Sequence, residues 1–306
     1  MKELKQHNKD ALIFNIQRFC LHDGPGIRTT LFFKGCPLRC AWCQNPESIS
    51  PEAQMAFVAA RCKGCFQCAK ACGSAAILHS DERRIDYERC TVCGRCADVC
   101  PAESLTLVGR RWPVDALMGE VLRDLDFFRD SGGGITLSGG EPLMQWRFLE
   151  NFLPEAKRQD IHVTLETCGF FEWVHIQPLL PFLDLIYFDL KHMDTKRHRR
   201  YTGAGNGRIL DNFSRLSSAL NPLVPRMPIV PGVNDSEENI AETSRFLLRH
   251  GHHGIHGLPY HGLGADKIRW INSPLQPLHL ASMDADACAP IKRKFEKEGI
   301  HADIYD

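Results

Sequence analysis

Three cysteines in one short run, Cys36, Cys40 and Cys43, constrain this chain more than any other feature. They are spaced C-x3-C-x2-C and directly follow a β-like stretch, Thr29–Phe33. Three thiolates hold three corners of a cubane iron–sulfur cluster, whose four irons ordinarily take four cysteines. The fourth iron is then open to bind and polarise a second molecule. An open coordination position separates a catalytic metal site from a structural one, so the run argues for chemistry. A structural zinc knot, or an ordinary cluster with a distant fourth ligand, is the plainer alternative.

Eight more cysteines lie between Val58 and Leu107, in two copies of one pattern. Cys62, Cys65, Cys68 and Cys72 form the first and Cys90, Cys93, Cys96 and Cys100 the second, each spaced C-x2-C-x2-C-x3-C. This resembles the bacterial two-cluster ferredoxin signature, in which the fourth cysteine of each run ligates the other run's cluster. The resemblance assigns Cys62, Cys65, Cys68 and Cys100 to one [4Fe-4S] cluster, and Cys90, Cys93, Cys96 and Cys72 to another. Zinc explains this poorly, because a four-cysteine zinc site has no need of four cysteines in each run. Gly73 stands where proline is expected after the first run's fourth cysteine, which bears on the potential more than on ligation. Residues 58–107 are read as a ferredoxin-like two-cluster insert, and 1–57 with 108–306 as the domain that carries it.

At 306 residues the chain can bury a substantial core. Its 37 basic and 37 acidic residues cancel, which argues against a nucleic-acid surface or a polybasic membrane patch. The N-terminus has no apolar segment long enough for a signal peptide, and no apolar stretch approaches a membrane span. Eleven of the 14 cysteines fall in tight metal-type spacings. Metal binding in a reducing cytoplasm therefore fits better than a disulfide framework.

Outside the insert, short apolar runs alternate with helical patterns, the signature of βα units on a parallel sheet. Strands are expected at 29–33, 135–137, 162–165, 185–188, 224–229 and 255–258, with amphipathic helices at 114–129, 145–158 and 237–249. Pro113 reads as a helix start and Asp235–Glu237 as a cap. Each strand ends in unusual polar residues: the cysteines, then Ser138–Pro142 (SGGEP), Glu166–Gly169 (ETCG), Asp189–Lys191 (DLK), Val230–Asn234 and Tyr260–His261. In β/α barrels the active site gathers at the C-terminal strand ends. The expected fold is α/β, a partial (β/α)6 TIM-type barrel with the inserted two-cluster domain.

The C-x3-C-x2-C loop resembles the cluster motif of radical S-adenosylmethionine enzymes. Together with Asp23–Arg28 (DGPGIR), Trp42–Pro46 (WCQNP), the SGGEP and DLK segments and Leu258–Gly264 (LPYHGLG), it is similar to the activating enzymes of glycyl radical enzymes. The resemblance runs from Ile13 to about Trp270. It implies that Trp42, Cys43, Gln44, Gly139, Gly140, Glu141, Asp189, Leu190, Lys191 and His261 surround S-adenosylmethionine. Glycine at 139 and 140 permits close backbone approach to the cofactor's amino group, and Lys191 could pair with its carboxylate. The resemblance also implies that Glu166 and Thr167 help bind a monovalent cation, although Glu166 could equally partner a nearby lysine or arginine. Asp23, Gly24 and Arg28 are expected to help hold a partner's glycyl loop. Arg226 is expected near the cluster or cofactor. A core or surface ion pair is the alternative for both arginines. Cys20, Cys168 and Cys288 lack ligand spacing and read as structural thiols.

The implied activity is reductive cleavage of S-adenosylmethionine to a 5′-deoxyadenosyl radical, followed by hydrogen abstraction from a glycine of a lyase, decarboxylase or dehydratase. Three [4Fe-4S] clusters, S-adenosylmethionine and a monovalent cation are the implied cofactors. A flavodoxin or ferredoxin-type protein is the implied electron donor, and the chain is expected to be a monomer. No general base is needed, and no nucleophile–base pattern is present. A radical enzyme acting on a small molecule or another maturation target shares the same cofactor site. A ferredoxin-type carrier would leave the cysteine triad and the other strand-end motifs without a purpose. The chain is too short to be the glycyl radical enzyme itself.

Overall fold

The structure, a computed structural model, describes residues 10–80 and 82–304. The reading of the first nine residues therefore lies outside the described part. The strands are β1 (Ala11–Cys20), β2 (Arg28–Phe33), β3 (Gln54–Phe57), β4 (Leu105–Val108), β5 (Arg110–Trp112), β6 (Gly134–Gly139), β7 (His162–Thr167), β8 (Leu185–Asp189), β9 (Leu223–Ile229), β10 (Gly254–Pro259) and β11 (His301–Ile304). Nine of them form one sheet in the order β11-β10-β9-β8-β7-β6-β2-β1-β5. Neighbours from β2 to β11 pair in parallel, whereas β1 runs antiparallel to both β2 and β5. All six expected strands are present. β11 adds a seventh parallel strand, and β1 makes an antiparallel border.

Side chains alternate across a strand, and here the two faces differ sharply. Leu31, Phe33, Ile135, Leu137, Val163, Leu165, Ile186, Phe188, Met227, Ile229 and Ile255 join one buried apolar cluster. Helices cover that face. Trp146–Arg158 contributes Phe148, Leu149, Phe152 and Leu153, and Gly207–Ser217 contributes Ile209, Phe213 and Leu216. Each such buried side chain stabilises the fold by about 2 kcal/mol. The opposite face is polar. Thr30, Thr136 and Thr164 stand side by side on β2, β6 and β7, Glu166 faces Tyr187 across β7 and β8, and Asp189, Arg226 and His256 align on β8, β9 and β10.

Ser236 caps Glu237–Arg249 by accepting from the amide of Asn239, a device that stabilises a helix start by about 1 kcal/mol. The expected helix 114–129 is instead two, Val114–Leu122 and Leu125–Ser131. The break falls at Asp124, whose carboxylate accepts a 2.5 Å hydrogen bond from Thr29 Oγ1 and pairs with Arg18 at 2.5 Å. Tertiary partners on β1 and β2 pull this residue out of helical geometry.

Between β3 and β4, which pair antiparallel from Gln54–Val108 to Phe57–Leu105, the chain forms two short helices, Gln67–Ala71 and Arg95–Asp98. This region has its own buried cluster of Met55, Phe57, Ile85, Cys96 and Leu105. Tyr87 Oη ties it to the rest by lying 3.2 Å from the Met55 carbonyl and 3.3 Å from that of Trp270.

Candidate active site

The loop after β2 is fixed by its backbone. Gly35 N donates to Ser48 O (2.6 Å), Arg39 N to Thr202 O (2.7 Å) and Ala41 N to Tyr201 O (2.9 Å). Trp42 is buried against Val230, Val233 and Tyr260. Cys36, Cys40 and Cys43 sit close enough to influence one another's ionisation. Burial pushes the Cys40 thiol up to about 12 and raises that of Cys43 as well. Thiols in such surroundings stay protonated until a metal displaces the proton, so the donor set suits a thiolate-bound metal group.

Gly139, with φ +102°, and Gly140 form the turn after β6 beside this loop. A Cβ on Gly139 would stand 2.5 Å from Phe33 N, and one on Gly140 2.2 Å from Gly35 O. Only glycine allows the two loops to touch.

Glu141 is wholly buried and turned into the protein. It accepts from Thr167 Oγ1 (2.9 Å), Cys168 N (2.8 Å) and Leu143 N (3.3 Å). The structure thus makes it the clamp of the glycine turn on β7, where the sequence placed it against the cofactor. Leu190 likewise points into the core and offers only its backbone to the site.

Along the polar face runs a chain of charges, Lys191 and Arg226 buried and Asp189 and Glu166 partly so. Lys191 Nζ lies 3.2 Å from Asp189 Oδ2, Arg226 Nε 3.1 Å from Asp189 Oδ1, and Arg226 Nη1 2.6 Å from Glu166 Oε1. Burial opposes ionisation of Asp189, but Lys191 and Arg226 outweigh it and hold the carboxyl below its usual range. Burial also opposes the charge on Lys191, and the Asp189 carboxylate overcomes it. Lys191 is therefore a firm ammonium beside the cysteine loop. It suits an anionic ligand group there.

His261 follows the end of β10. Its Nδ1 is buried with no hydrogen-bond partner among the described residues, and burial lowers its pKa. A neutral imidazole with an unsatisfied nitrogen is what an absent polar ligand would leave behind.

Three expectations change. Glu166 accepts from Ser138 Oγ as well as from Arg226, and Thr167 Oγ1 donates to Glu141. Both are engaged by protein, so the ion-pair alternative fits better than a cation site. Arg28 is wholly buried, with Nε 2.6 Å from Thr136 Oγ1 and Nη1 2.9 Å from Pro25 O. It holds the Asp23–Ile27 loop from beneath and has no surface to offer a partner. Asp23 and Gly24 instead approach the polar face, where Asp23 accepts from Thr30 Oγ1 and Gly24 lies near Thr164. Sequence reasoning missed Cys168. It lies beside Cys36 and holds that thiol below its usual value by hydrogen bonding. The signal was its place at the end of β7, two residues after Glu166.

The eight cysteines of the 58–107 region border two cavities. Cys62, Cys65, Cys68 and Cys100 line one, and Cys72, Cys90, Cys93 and Cys96 line the other. Each cavity thus takes three cysteines from one run and the fourth from the other. Among the described residues, no three His, Cys, Asp or Glu side chains converge on a point that would hold a single metal ion.

A strand-end cysteine loop on a largely parallel α/β sheet defines the class. A family model for the Radical SAM superfamily matches residues 30–244, and the chain belongs to that superfamily. It is 40% identical over 280 residues to the isethionate sulfite-lyase activating enzyme of Oleidesulfovibrio alaskensis, with 89% of this chain and 90% of that one covered. It is 41% identical over 244 residues to the (2S)-3-sulfopropanediol dehydratase activating enzyme of Klebsiella oxytoca, covering 78% and 77%. The solved structure of Streptococcus suis SuiB bound to precursor peptide SuiA shares the fold with a TM-score of 0.52 at 12% identity, spanning 100% of this chain and 52% of that one.

Proposed function

We propose that this protein is a radical S-adenosylmethionine enzyme that installs a glycyl radical in a partner enzyme. The observation that carries this is the half-buried cysteine triad set beside Lys191 and Asp189, in a chain whose relatives are named activating enzymes. A reduced [4Fe-4S] cluster held by Cys36, Cys40 and Cys43 would supply one electron for cleavage of bound S-adenosylmethionine to methionine and a 5′-deoxyadenosyl radical, able to take a hydrogen from the partner glycine's α-carbon.

The chain's own groups bind and orient. Cys36, Cys40 and Cys43 hold the cluster; Lys191 pairs with the methionyl carboxylate, and the backbone at Gly139 and Gly140 receives the amino group. His261 offers Nδ1 to the cofactor. Arg226 holds the Asp189 and Glu166 carboxylates in place. The Asp23–Ile27 loop, tied to the polar face through Thr30 and Thr136, meets the partner's glycine loop. In this reading the parallel strands curl as a partial (β/α)6 barrel. Residues 58–107 hold two further [4Fe-4S] clusters in a ferredoxin-like fold, fed by a flavodoxin or ferredoxin-type donor in a reducing cytoplasm, and the chain works as a monomer.

Anaerobic reconstitution with iron, sulfide and S-adenosylmethionine, followed by mixing with an isethionate sulfite-lyase or a sulfopropanediol dehydratase, tests the reading. A glycyl radical doublet in the EPR spectrum is expected with a cognate lyase or dehydratase. Formation of 5′-deoxyadenosine with no radical in any glycyl radical enzyme would point to a different substrate.

A further inference from the structure

The two cysteine-lined cavities differ in charge: Arg84 and the exposed Lys63 border the first. Arg84 reaches into the first, is 1% exposed, and sets Nη2 3.5 Å from Cys62 Sγ. Its guanidinium lies 4.4 Å from the centre of the Phe66 ring and 5.7 Å from that of Phe57. No charged side chain lines the second cavity. The arginine beside that site is Arg95, which lies by Cys93 and is exposed. It occupies the room left by Gly73, where a Cβ would stand 2.8 Å from Arg95 Nη2.

The repeat itself offers a comparison. Phe66 and Gly94 hold the same place in the two runs, directly after Cys65 and Cys93, and both have left-handed backbones, with φ of +54° and +80°. Glycine adopts that conformation freely, whereas an aromatic residue is strained in it. The first run keeps the strained phenylalanine, and its ring carries Arg84.

Resting on the reading of two auxiliary clusters, we propose that Arg84 is a potential-setting residue: it raises the reduction potential of the cluster held by Cys62, Cys65, Cys68 and Cys100 above that of its neighbour. Net charge and hydrogen bonds to the sulfurs set cluster potentials. A cation in contact with a ligand sulfur favours the reduced cluster, which carries one more negative charge. Arg84 acts from a buried position, where charge is weakly screened, while Arg95 meets Cys93 at the exposed surface, where water screens its charge.

The test uses the full chain with Cys36, Cys40 and Cys43 replaced by alanine, so that only the auxiliary clusters report. This protein is reconstituted with iron and sulfide and titrated with a one-electron titanium(III) reductant, each reduced cluster being followed by EPR. Two separated one-electron steps are expected. Arg84→Gln should lower the upper step towards the lower one and leave the lower step in place, Arg84→Lys should shift it less, and Arg95→Gln should move neither appreciably. If Arg84→Gln fails to load, Phe66→Leu, which removes the ring under the guanidinium, should lower the same step. Unchanged steps in the loaded variants overturn the proposal. A parent with fewer than about eight irons overturns the two-cluster reading beneath it, a separate outcome visible before any titration.

Discussion

The Glu166–Arg226–Asp189–Lys191 chain gives a prediction whose size can be worked out. Arg226→Met removes a side chain that is 10% exposed and leaves two carboxylates, 15% and 21% exposed, of which only Asp189 keeps a cation, Lys191. Removing one partner of a buried ion pair costs about 3–5 kcal/mol. Asp189 is the more exposed carboxylate and keeps Lys191, which places the expected loss near 3 kcal/mol. Glu166→Gln keeps a hydrogen bond to Ser138 and removes the charge that Arg226→Met orphans. The double variant should therefore lose much less than the sum of the two singles, with a coupling of about 2 kcal/mol. Urea unfolding followed by tryptophan fluorescence on the four proteins measures this. Because the Asp189 pKa is depressed in the folded state, its contribution is present above the unfolded value and lost only as pH falls through the folded one. The wild-type contribution should accordingly be flat from about pH 5 to 8, while in Arg226→Met the orphaned carboxylates take up protons more readily and the cost shrinks as pH falls. Losses additive to within about 0.5 kcal/mol, or a cost that grows as pH falls, would refute the argument.

Three further outcomes follow from the geometry. Gly140→Ala forces a Cβ to within 2.2 Å of the Gly35 carbonyl; it should cost about 1–3 kcal/mol and weaken S-adenosylmethionine binding measured by equilibrium dialysis. Burial lowers the His261 pKa, so cofactor affinity should hold above about pH 6.5 and decline as acid protonates the ring, whereas His261→Gln should show a flat profile. Asp124→Ala leaves Thr29 and Arg18 without their shared acceptor and should lower stability by about 1–3 kcal/mol, read as a fall in the urea midpoint.

Much of the frame was legible because period-two alternation survives in the six central strands. β1 escaped notice because Asn15, Gln17 and Arg18 interrupt its apolar residues, and β11 because four residues carry little pattern. Motifs located the site but not the direction of each side chain. Glu141 and Arg28 belong to recognisable runs and yet point inward, since each satisfies backbone or hydroxyl groups that would otherwise be buried unpaired. Cys168 shows the converse. It has no ligand spacing, and only the fold brings it beside Cys36.

The paired strands β3 and β4 have a consequence for how the molecule is put together. Gln54 and Val108 stand opposite each other, so fifty-odd residues leave and return at almost one point. The larger sheet bears little extra loop-closure entropy for hosting them. A shortened chain joining residue 54 to residue 108 should therefore still assemble the nine-stranded sheet, an outcome that its far-UV circular dichroism and urea unfolding would check.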